Sequence, residues 1–138
     1  MRSLIAAIEG AGLTIVGRHV TGTREIDEAA FAAAEIVLVN GEGTIHHSGP
    51  RALYLLHLIR RAKRRGKRVL LVNALFQQYD APAEDMLSGL ALLTVREPRS
   101  AAFARRFGGE PLTLLDSAAD PAFLAGGTAQ PLMAGRVI

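Results

Sequence analysis

The chain has 138 residues, of which 49% are hydrophobic and 21% charged, and its formal net charge is +3. This composition predicts one globular domain with its own core and excludes a disordered chain. The absence of cysteine excludes disulfides and cysteine-ligated zinc. No apolar run approaches the roughly 18 residues of a membrane span. We interpret the N-terminal apolar stretch, which Glu9 interrupts, as a helix rather than a signal peptide, so the cytoplasm is the expected compartment.

Helical and strand patterns alternate along the chain. Helices are predicted at residues 3–11, 27–34, 50–65, 83–88 and 99–107, the second with Asp27 and the third with Ser48 or Gly49 as N-cap. Short apolar runs predict strands at residues 13–16, 36–39, 69–72, 92–95 and 112–115. Residues 125–136 are expected to form a linker that runs into one more strand start at Val137 and Ile138.

This alternation predicts the α/β class, with a Rossmann-like, mostly parallel sheet, right-handed crossovers and helices on both faces. The strands at 36–39, 69–72 and 92–95 are expected to be inner strands that are buried on both faces. We see no domain boundary before Gly126, so residues 1–138 are expected to form a single domain.

The loop from Asn40 to Pro50 follows one of these strands and opens a long helix. Gly41 and Gly43 match two glycines of a dinucleotide-binding fingerprint, but the third glycine is missing, and so is the lysine of a phosphate-binding P-loop. Backbone N–H groups, the Thr44 hydroxyl and the helix start could still form a cradle for phosphate or carboxylate. The alternative is a connector whose glycines only meet the needs of a turn.

Polar residues follow the ends of several predicted strands. In a parallel sheet these strand ends lie at the same edge. Asn40, Asn73, Arg96 and Asp116 hold these positions, so their side chains could converge on one crevice. Arg96 would then bind a carboxylate or phosphate; alternatively it forms a local ion pair with Glu97.

Two adjacent histidines, His46 and His47, also lie in the loop. No third ligand stands at a suggestive spacing, so we predict no metal site. His46 could instead donate a hydrogen bond to an anionic ligand, or it could be solvated.

Basic residues are concentrated between Arg60 and Arg68, where seven of nine residues are Arg or Lys. Such a cluster can bind nucleic acid or an anionic surface. It can also complement the carbonyl end of a helix. We favour the second interpretation, because no aromatic residue is interleaved with the charges.

Four segments together carry a family resemblance: VLVNGEGTIHH, VLLVNALFQQ, TVREPRSAAFARRFGG and DSAADPAF. In order and spacing they resemble the polysaccharide pyruvyl transferase family over about residues 34–123. The resemblance implies one half of a two-domain architecture with facing Rossmann-like domains, like that of GT-B glycosyltransferases. Family members transfer pyruvyl from phosphoenolpyruvate to a sugar as a ketal.

The resemblance also implies roles for individual residues. Gly41, Glu42, Gly43, Thr44 and His46 would line the interdomain cleft. Asn73 lies inside the second of the four segments, directly after its predicted strand, and Arg96, Glu97 and Ser100 would form a further loop and its helix start. Asp120 would match an acidic family position. His46 is the candidate general acid, and no cofactor or metal is implied.

We therefore expect phosphoenolpyruvate or another small anion, together with a sugar or glycan acceptor, as partners. Relative to the family the chain lacks a first strand and the whole second domain, so it is expected to be incomplete at both ends and to need its missing half for activity. An exposed sheet edge would favour a homodimer. The alternatives are a non-catalytic anion- or nucleotide-binding module and a basic nucleic-acid-binding domain.

Overall fold

The structure is a computed structural model. It describes residues 2–20, 25–41, 45, 47–76, 83–113 and 136–138. In chain order the elements are α1 (Arg2–Gly10), β1 (Thr14–Ile15), α2 (Glu28–Ala33), β2 (Ile36–Asn40), α3 (Pro50–Arg64), β3 (Arg68–Ala74), α4 (Ala83–Leu87), β4 (Leu92–Val95), α5 (Pro98–Arg106), β5 (Leu112–Thr113) and β6 (Arg136–Val137). None of the helices in these ranges has both the length and the apolar character needed to cross a bilayer.

The six strands form one sheet in the order β1-β6-β2-β3-β4-β5, and every neighbouring pair is parallel. The predicted α/β class with a parallel sheet is therefore confirmed. β2, β3 and β4 are inner strands, also as predicted. Their carboxyl ends lie at one edge of the sheet, which is where parallel α/β proteins place ligands.

One face of the sheet carries the larger core. Alternate residues of the inner strands, such as Val37, Leu71 and Val95, lie in one apolar cluster with buried side chains of α2, α3, α4 and α5. The apolar stripe of α3 explains this packing, because residues spaced three and four apart share one face of a helix. Ile59 and Ala62 on that stripe are fully buried.

The opposite face has a smaller core. Ile8 of α1 packs there with Ile36, Leu70 and Val137, while Leu38 is only half-buried. Among the described helices, α1 alone contributes to this cluster. Helices thus lie on both faces, as predicted. The expectation that the inner strands are fully buried on both faces is correct for the α2–α5 face, whereas α1 is too short to cover the other face completely.

The largest difference from the sequence-based expectation concerns the chain's last residues. The predicted strand start at Val137 is part of β6, which is inserted between β1 and β2. Two apolar residues give no period from which their neighbours could be inferred. The structure therefore adds an inner strand where the sequence indicated only the beginning of one.

Candidate functional site

A bulge in β3 shapes the carboxyl edge of the sheet. Leu71 pairs with Leu93 and Ala74 with Val95, so β3 contains one more residue than β4 between these two pairs. Asn73, inside this bulge, has a φ of 56°, in the left-handed region that Asn tolerates better than most residues. Strained backbone of this kind often occurs at functional sites.

The bulge brings two asparagines together. The Asn73 backbone N–H donates to Thr94 Oγ1 at 2.9 Å, and its side-chain Nδ2 lies 3.4 Å from Asn40 Oδ1 at the end of β2. Both asparagines are half-buried. We call Asn40, Asn73 and Thr94 the strand-end cluster. Its amide groups can donate to carboxylate or phosphate oxygens and can both donate to and accept from sugar hydroxyls.

Arg96, Glu97 and Ser100 follow β4 and begin α5. The Arg96 backbone N–H donates to Ala74 C=O at 3.1 Å, and its side chain is exposed. Ser100 is fully buried; its hydroxyl accepts from Phe76 N–H at 2.9 Å and donates to Glu97 Oε1 at 3.2 Å. Ser100 and Glu97 thus attach the segment after β3 to the start of α5, and Arg96 remains at the accessible edge.

The helices that start at this edge differ in how they are capped. In α2, the Asp27 carboxylate accepts from Ala30 N–H at 3.0 Å, which confirms the predicted cap. In α3 and α5 the caps are Gly49 and Glu97, and neither makes a side-chain capping hydrogen bond. The first N–H groups of these two helices therefore lack the side-chain acceptor that α2 has, and such groups can bind anions.

The Gly-containing loop is only partly described. Residues Glu42, Gly43, Thr44 and His46 lie outside the described residues, as do Asp116 and Asp120. Gly41 is buried, and its N–H donates to Val72 C=O at 2.8 Å. A Cβ on Gly41 would lie 3.0 Å from Ala74 Cα. Close packing against β3 therefore explains this glycine, and its N–H is used within the sheet.

The same loop enters α3 through two left-handed residues. His47 has a φ of 55° and Ser48 a φ of 43°, and Ile45 before them is fully buried. The loop is thus anchored in the core by Ile45, while the residues next to α3 adopt a conformation that costs energy in the absence of glycine. Together with Asn73, they make three non-glycine residues with positive φ among the residues that the structure describes near this edge.

The basic cluster lies at the opposite end of α3, and its lysines hold other helices. Lys63 Nζ donates to the carbonyls of Asp85, Met86 and Ser88, at and just past the end of α4. Lys67 Nζ donates to Ala34 C=O at 2.6 Å after α2. Both cations therefore occupy the negative ends of helix dipoles. Burial lowers the pKa of Lys63, and the negative charge of the nearby Asp85 carboxylate partly opposes this shift.

Two arginines of the cluster form ion pairs across helices. Arg60 pairs with Asp85 of α4, and Arg61 pairs through both guanidinium nitrogens with Glu28 of α2. The hydrogen bonds from Arg61 lower the pKa of the Glu28 carboxyl, and the same contacts raise the pKa of Arg61. Arg61 also lies 4.4 Å above the Phe31 ring centre. Four of the seven basic residues thus connect α3 with α2 and α4.

A second polar group at the carboxyl edge had no place in the sequence-based site. His19 Nε2 lies 2.9 Å from the Tyr54 hydroxyl of α3, and burial raises the pKa of Tyr54. Arg18 precedes His19 just beyond β1. Arg18 and His19 follow a strand, as Asn40 and Asn73 do, so the same sequence signal applies to them. The signal is weaker here, because the polar segment at residues 17–24 resembles an ordinary connection between two elements.

Within the described ranges, no group of three His, Cys, Asp or Glu side chains could hold a metal ion. Comparisons with known proteins add no candidate ligand: no family model, no curated protein and no solved structure matches the chain.

Proposed function

We propose that this chain binds phosphoenolpyruvate, or a similar small anion bearing carboxylate or phosphate, at the carboxyl edge of β2, β3 and β4. We further propose that it forms one domain of an enzyme like the polysaccharide pyruvyl transferases. One observation carries the proposal. β2 and β4 lie on either side of the bulged β3, which contains Asn73, and the helices that follow these two strands, α3 and α5, both begin without a side-chain cap. Neutral amide donors and helix N-termini suit a small anion.

In the proposed reaction a sugar hydroxyl attacks the enol carbon of phosphoenolpyruvate while the adjacent methylene gains a proton. A second hydroxyl of the sugar then displaces phosphate from the same carbon and closes the ketal. The chemistry needs donors for the carboxylate and phosphate and one general acid. We assign the carboxylate to Arg96, the sugar hydroxyls to Asn40 and Asn73, and the acid role to His46.

Gly43 and Thr44 remain in the proposed site as donors from the loop, with Glu42 beside them. Gly41 and Ser100 have a different part in it. The Gly41 N–H and the Ser100 hydroxyl are already used inside the fold, so these residues hold the loop and the start of α5 in place. Glu97 has the same supporting role through Ser100.

The binding test is a titration of the isotopically labelled chain with phosphoenolpyruvate, followed by amide NMR. We expect a dissociation constant in the millimolar range, about 4 kcal/mol, because one domain supplies only part of the contacts. Shifts should concentrate around Asn73, Arg96 and the first turn of α5. Asn73→Asp keeps the shape and tolerates the positive φ but places a negative charge at the site, so it should abolish binding.

Arg96→Gln should weaken binding at least threefold, whereas Arg64→Gln at the other end of α3 is the matched control and should bind like the wild type. Shifts that concentrate at residues 60–68, or affinity that is unchanged in both edge variants, would contradict the proposed site.

Transfer itself is tested by ³¹P NMR of phosphoenolpyruvate incubated with the chain and a hexose-containing glycan. Release of inorganic phosphate that requires the glycan supports the transferase. Specific binding without release, even when a second domain is supplied, would favour the non-catalytic anion-binding module.

A further inference from the structure

The two asparagines of the chain differ in the residue that follows them. Asn40 precedes Gly41, whereas Asn73 precedes Ala74. An asparagine side chain loses ammonia when the backbone nitrogen of the next residue attacks its amide carbon. Glycine at the next position favours this reaction, because it has no Cβ to hinder closure of the ring. In an unfolded chain Asn40 is therefore the more reactive of the two asparagines.

The reaction needs a free backbone nitrogen on Gly41, and the fold does not provide one. Gly41 N–H donates to Val72 C=O at 2.8 Å, and Asn40 pairs with Val72 in the parallel ladder of β2 and β3. To attack Asn40 Cγ, this nitrogen must lose its proton and leave its acceptor. The ring also requires rotation about the Cα–C bond of Asn40, away from the extended conformation of a strand.

Packing around Gly41 opposes that rotation. Gly41 is buried, and a Cβ on it would lie 3.0 Å from Ala74 Cα, so its backbone has little room to turn while β2 stays on β3. The adjacent bulge is held by Thr94, whose Oγ1 accepts from Asn73 N–H at 2.9 Å. Ring closure therefore requires the end of β2 to separate from β3. Such local openings cost less free energy than unfolding of the whole domain.

We propose that Asn40 is a deamidation site that the paired ends of β2 and β3 keep closed, and that its modification switches off the candidate anion site. The first part stands on the contacts above, and the second rests on the proposed function. In the reaction the Gly41 nitrogen bonds to Asn40 Cγ and the Cγ–Nδ2 bond breaks, so ammonia leaves with the proton from Gly41. Water then opens the cyclic imide and leaves aspartate or isoaspartate.

The product places a negative charge inside the strand-end cluster. Asn40 Oδ1 lies 3.4 Å from Asn73 Nδ2, so the new carboxylate stands beside the amide that we assign to the ligand. It repels the carboxylate and phosphate of phosphoenolpyruvate. Isoaspartate also lengthens the backbone by a methylene at the end of β2. Both products should bind phosphoenolpyruvate at least tenfold more weakly than the intact chain.

The test is peptide mapping by mass spectrometry of the full chain, incubated in mildly alkaline buffer with and without enough urea to unfold it. In urea, Asn40 should deamidate at least tenfold faster than Asn73, which is the internal control in the same digest. In the folded chain, Asn40 should react at least tenfold more slowly than it does in urea. Equal rates for Asn40 in the two conditions would overturn the proposal.

Two variants test whether the strand ends control the reaction. Thr94→Val keeps the shape of the side chain but removes the acceptor of Asn73 N–H, and it should speed deamidation of Asn40 at least threefold in the folded chain but not in urea. Lys63→Met weakens the fold at the other end of α3 and should stay within twofold of the wild type. Equal acceleration in both variants would show that Asn40 reacts only after global unfolding.

Amide hydrogen exchange of the wild type tests the same point without a substitution. If the strand ends open locally, the Gly41 amide should exchange faster than that of Leu71 in the middle of β3. Equal exchange of the two amides, at the rate of global unfolding, would contradict local opening.

The link to the anion site has its own measurements. Saturating phosphoenolpyruvate should slow deamidation of Asn40 in the folded chain at least threefold, compared with sodium chloride at the same ionic strength. Asn40→Asp should bind phosphoenolpyruvate at least tenfold more weakly than the wild type, and equal binding would overturn the switch. If the wild type does not bind phosphoenolpyruvate, the proposed function and the switch both fail. The comparison of folded and unfolded chain then still decides the deamidation site.

Discussion

The two ends of helix α3 use polar groups in opposite ways. At the carboxyl end, Lys63 donates to three carbonyls next to α4, and Arg61 forms a two-nitrogen ion pair with Glu28 of α2. At the amino end, Gly49 provides no side-chain cap, and His47 before it has a left-handed backbone. The densest group of charges in the sequence thus supports the packing, and the site is proposed at an end with few charges.

The difference follows from where the helices begin and end in a parallel α/β fold. Helices run antiparallel to their strands, so their carbonyl ends lie at one edge of the sheet, where cations are stabilising. Their amino ends lie at the other edge and offer N–H donors. A basic cluster at a helix carboxyl end therefore says little about nucleic acid until its partners inside the fold are known.

The largest effect is expected at the carboxyl end. Lys63→Met keeps the length of the side chain but removes three hydrogen bonds from a charged group, and it should lower the free energy of unfolding by about 1.5–3 kcal/mol. Denaturant unfolding measures this change. Arg64→Met, which alters an exposed side chain of the same cluster, is the control and should stay within about 0.5 kcal/mol. Equal effects of the two substitutions would contradict a structural role of Lys63.

The next effect concerns the bulge at the site edge. Asn73→Val forces a β-branched residue into positive φ and should destabilise the fold by about 1–2 kcal/mol. Asn73→Gly adopts the same backbone without strain, so it should be clearly more stable than the valine variant in the same denaturant series. If valine is tolerated as well as glycine, the left-handed conformation of Asn73 is not maintained in solution.

A smaller, pH-dependent effect is expected for Glu28. Its pKa is lowered in the folded state by hydrogen bonds from Arg61, so the carboxylate contributes stability above its unfolded pKa of about 4.3 and loses it as pH falls through the folded value. Thermal melts should show Glu28→Gln slightly less stable than the wild type at pH 7. The two curves should converge at a pH below the lowered pKa; a constant difference at every pH would exclude this ion pair as the cause.

The smallest effect is expected for the cations that form none of the contacts described above. Arg64→Gln combined with Arg65→Gln should leave stability within about 0.5 kcal/mol of the wild type and leave binding of phosphoenolpyruvate unchanged. A filter-binding assay with short duplex DNA at physiological salt tests the remaining alternative. Tight binding by the wild type that is lost in this double variant would make the basic cluster a nucleic-acid surface after all.

Local signals in the sequence were sufficient for most of the fold. Asp27, Pro50 and Gly66 mark helix ends that the structure places within one or two residues of the prediction. The strands were recognisable because inner parallel strands are continuous apolar runs. The insertion of β6 was not predictable, since it depends on pairing between residues that lie more than a hundred positions apart.

For the candidate site, topology gave the positions but not the geometry. Asn40 and Asn73 were expected at one edge because parallel strands share their carboxyl ends, and their side chains lie 3.4 Å apart. The bulge at Asn73 and the packing of Gly41 against Ala74 depend on how β2, β3 and β4 fit together, which no single segment encodes. The ligand roles of Gly43, Thr44, Arg96 and His46 stay predictions.

The position of β6 has a consequence for the order in which the chain folds. β2, β3, β4 and β5 follow one another along the sequence and in the sheet, so each can add to the previous strand after closing a short crossover. β1 and β2 cannot pair with each other, because the strand between them comes from residues 136–137. Pairing of such distant residues slows folding. The β2–β5 unit should therefore form first, and α1 with β1 should dock last, as a late and easily exchanged part of the native protein.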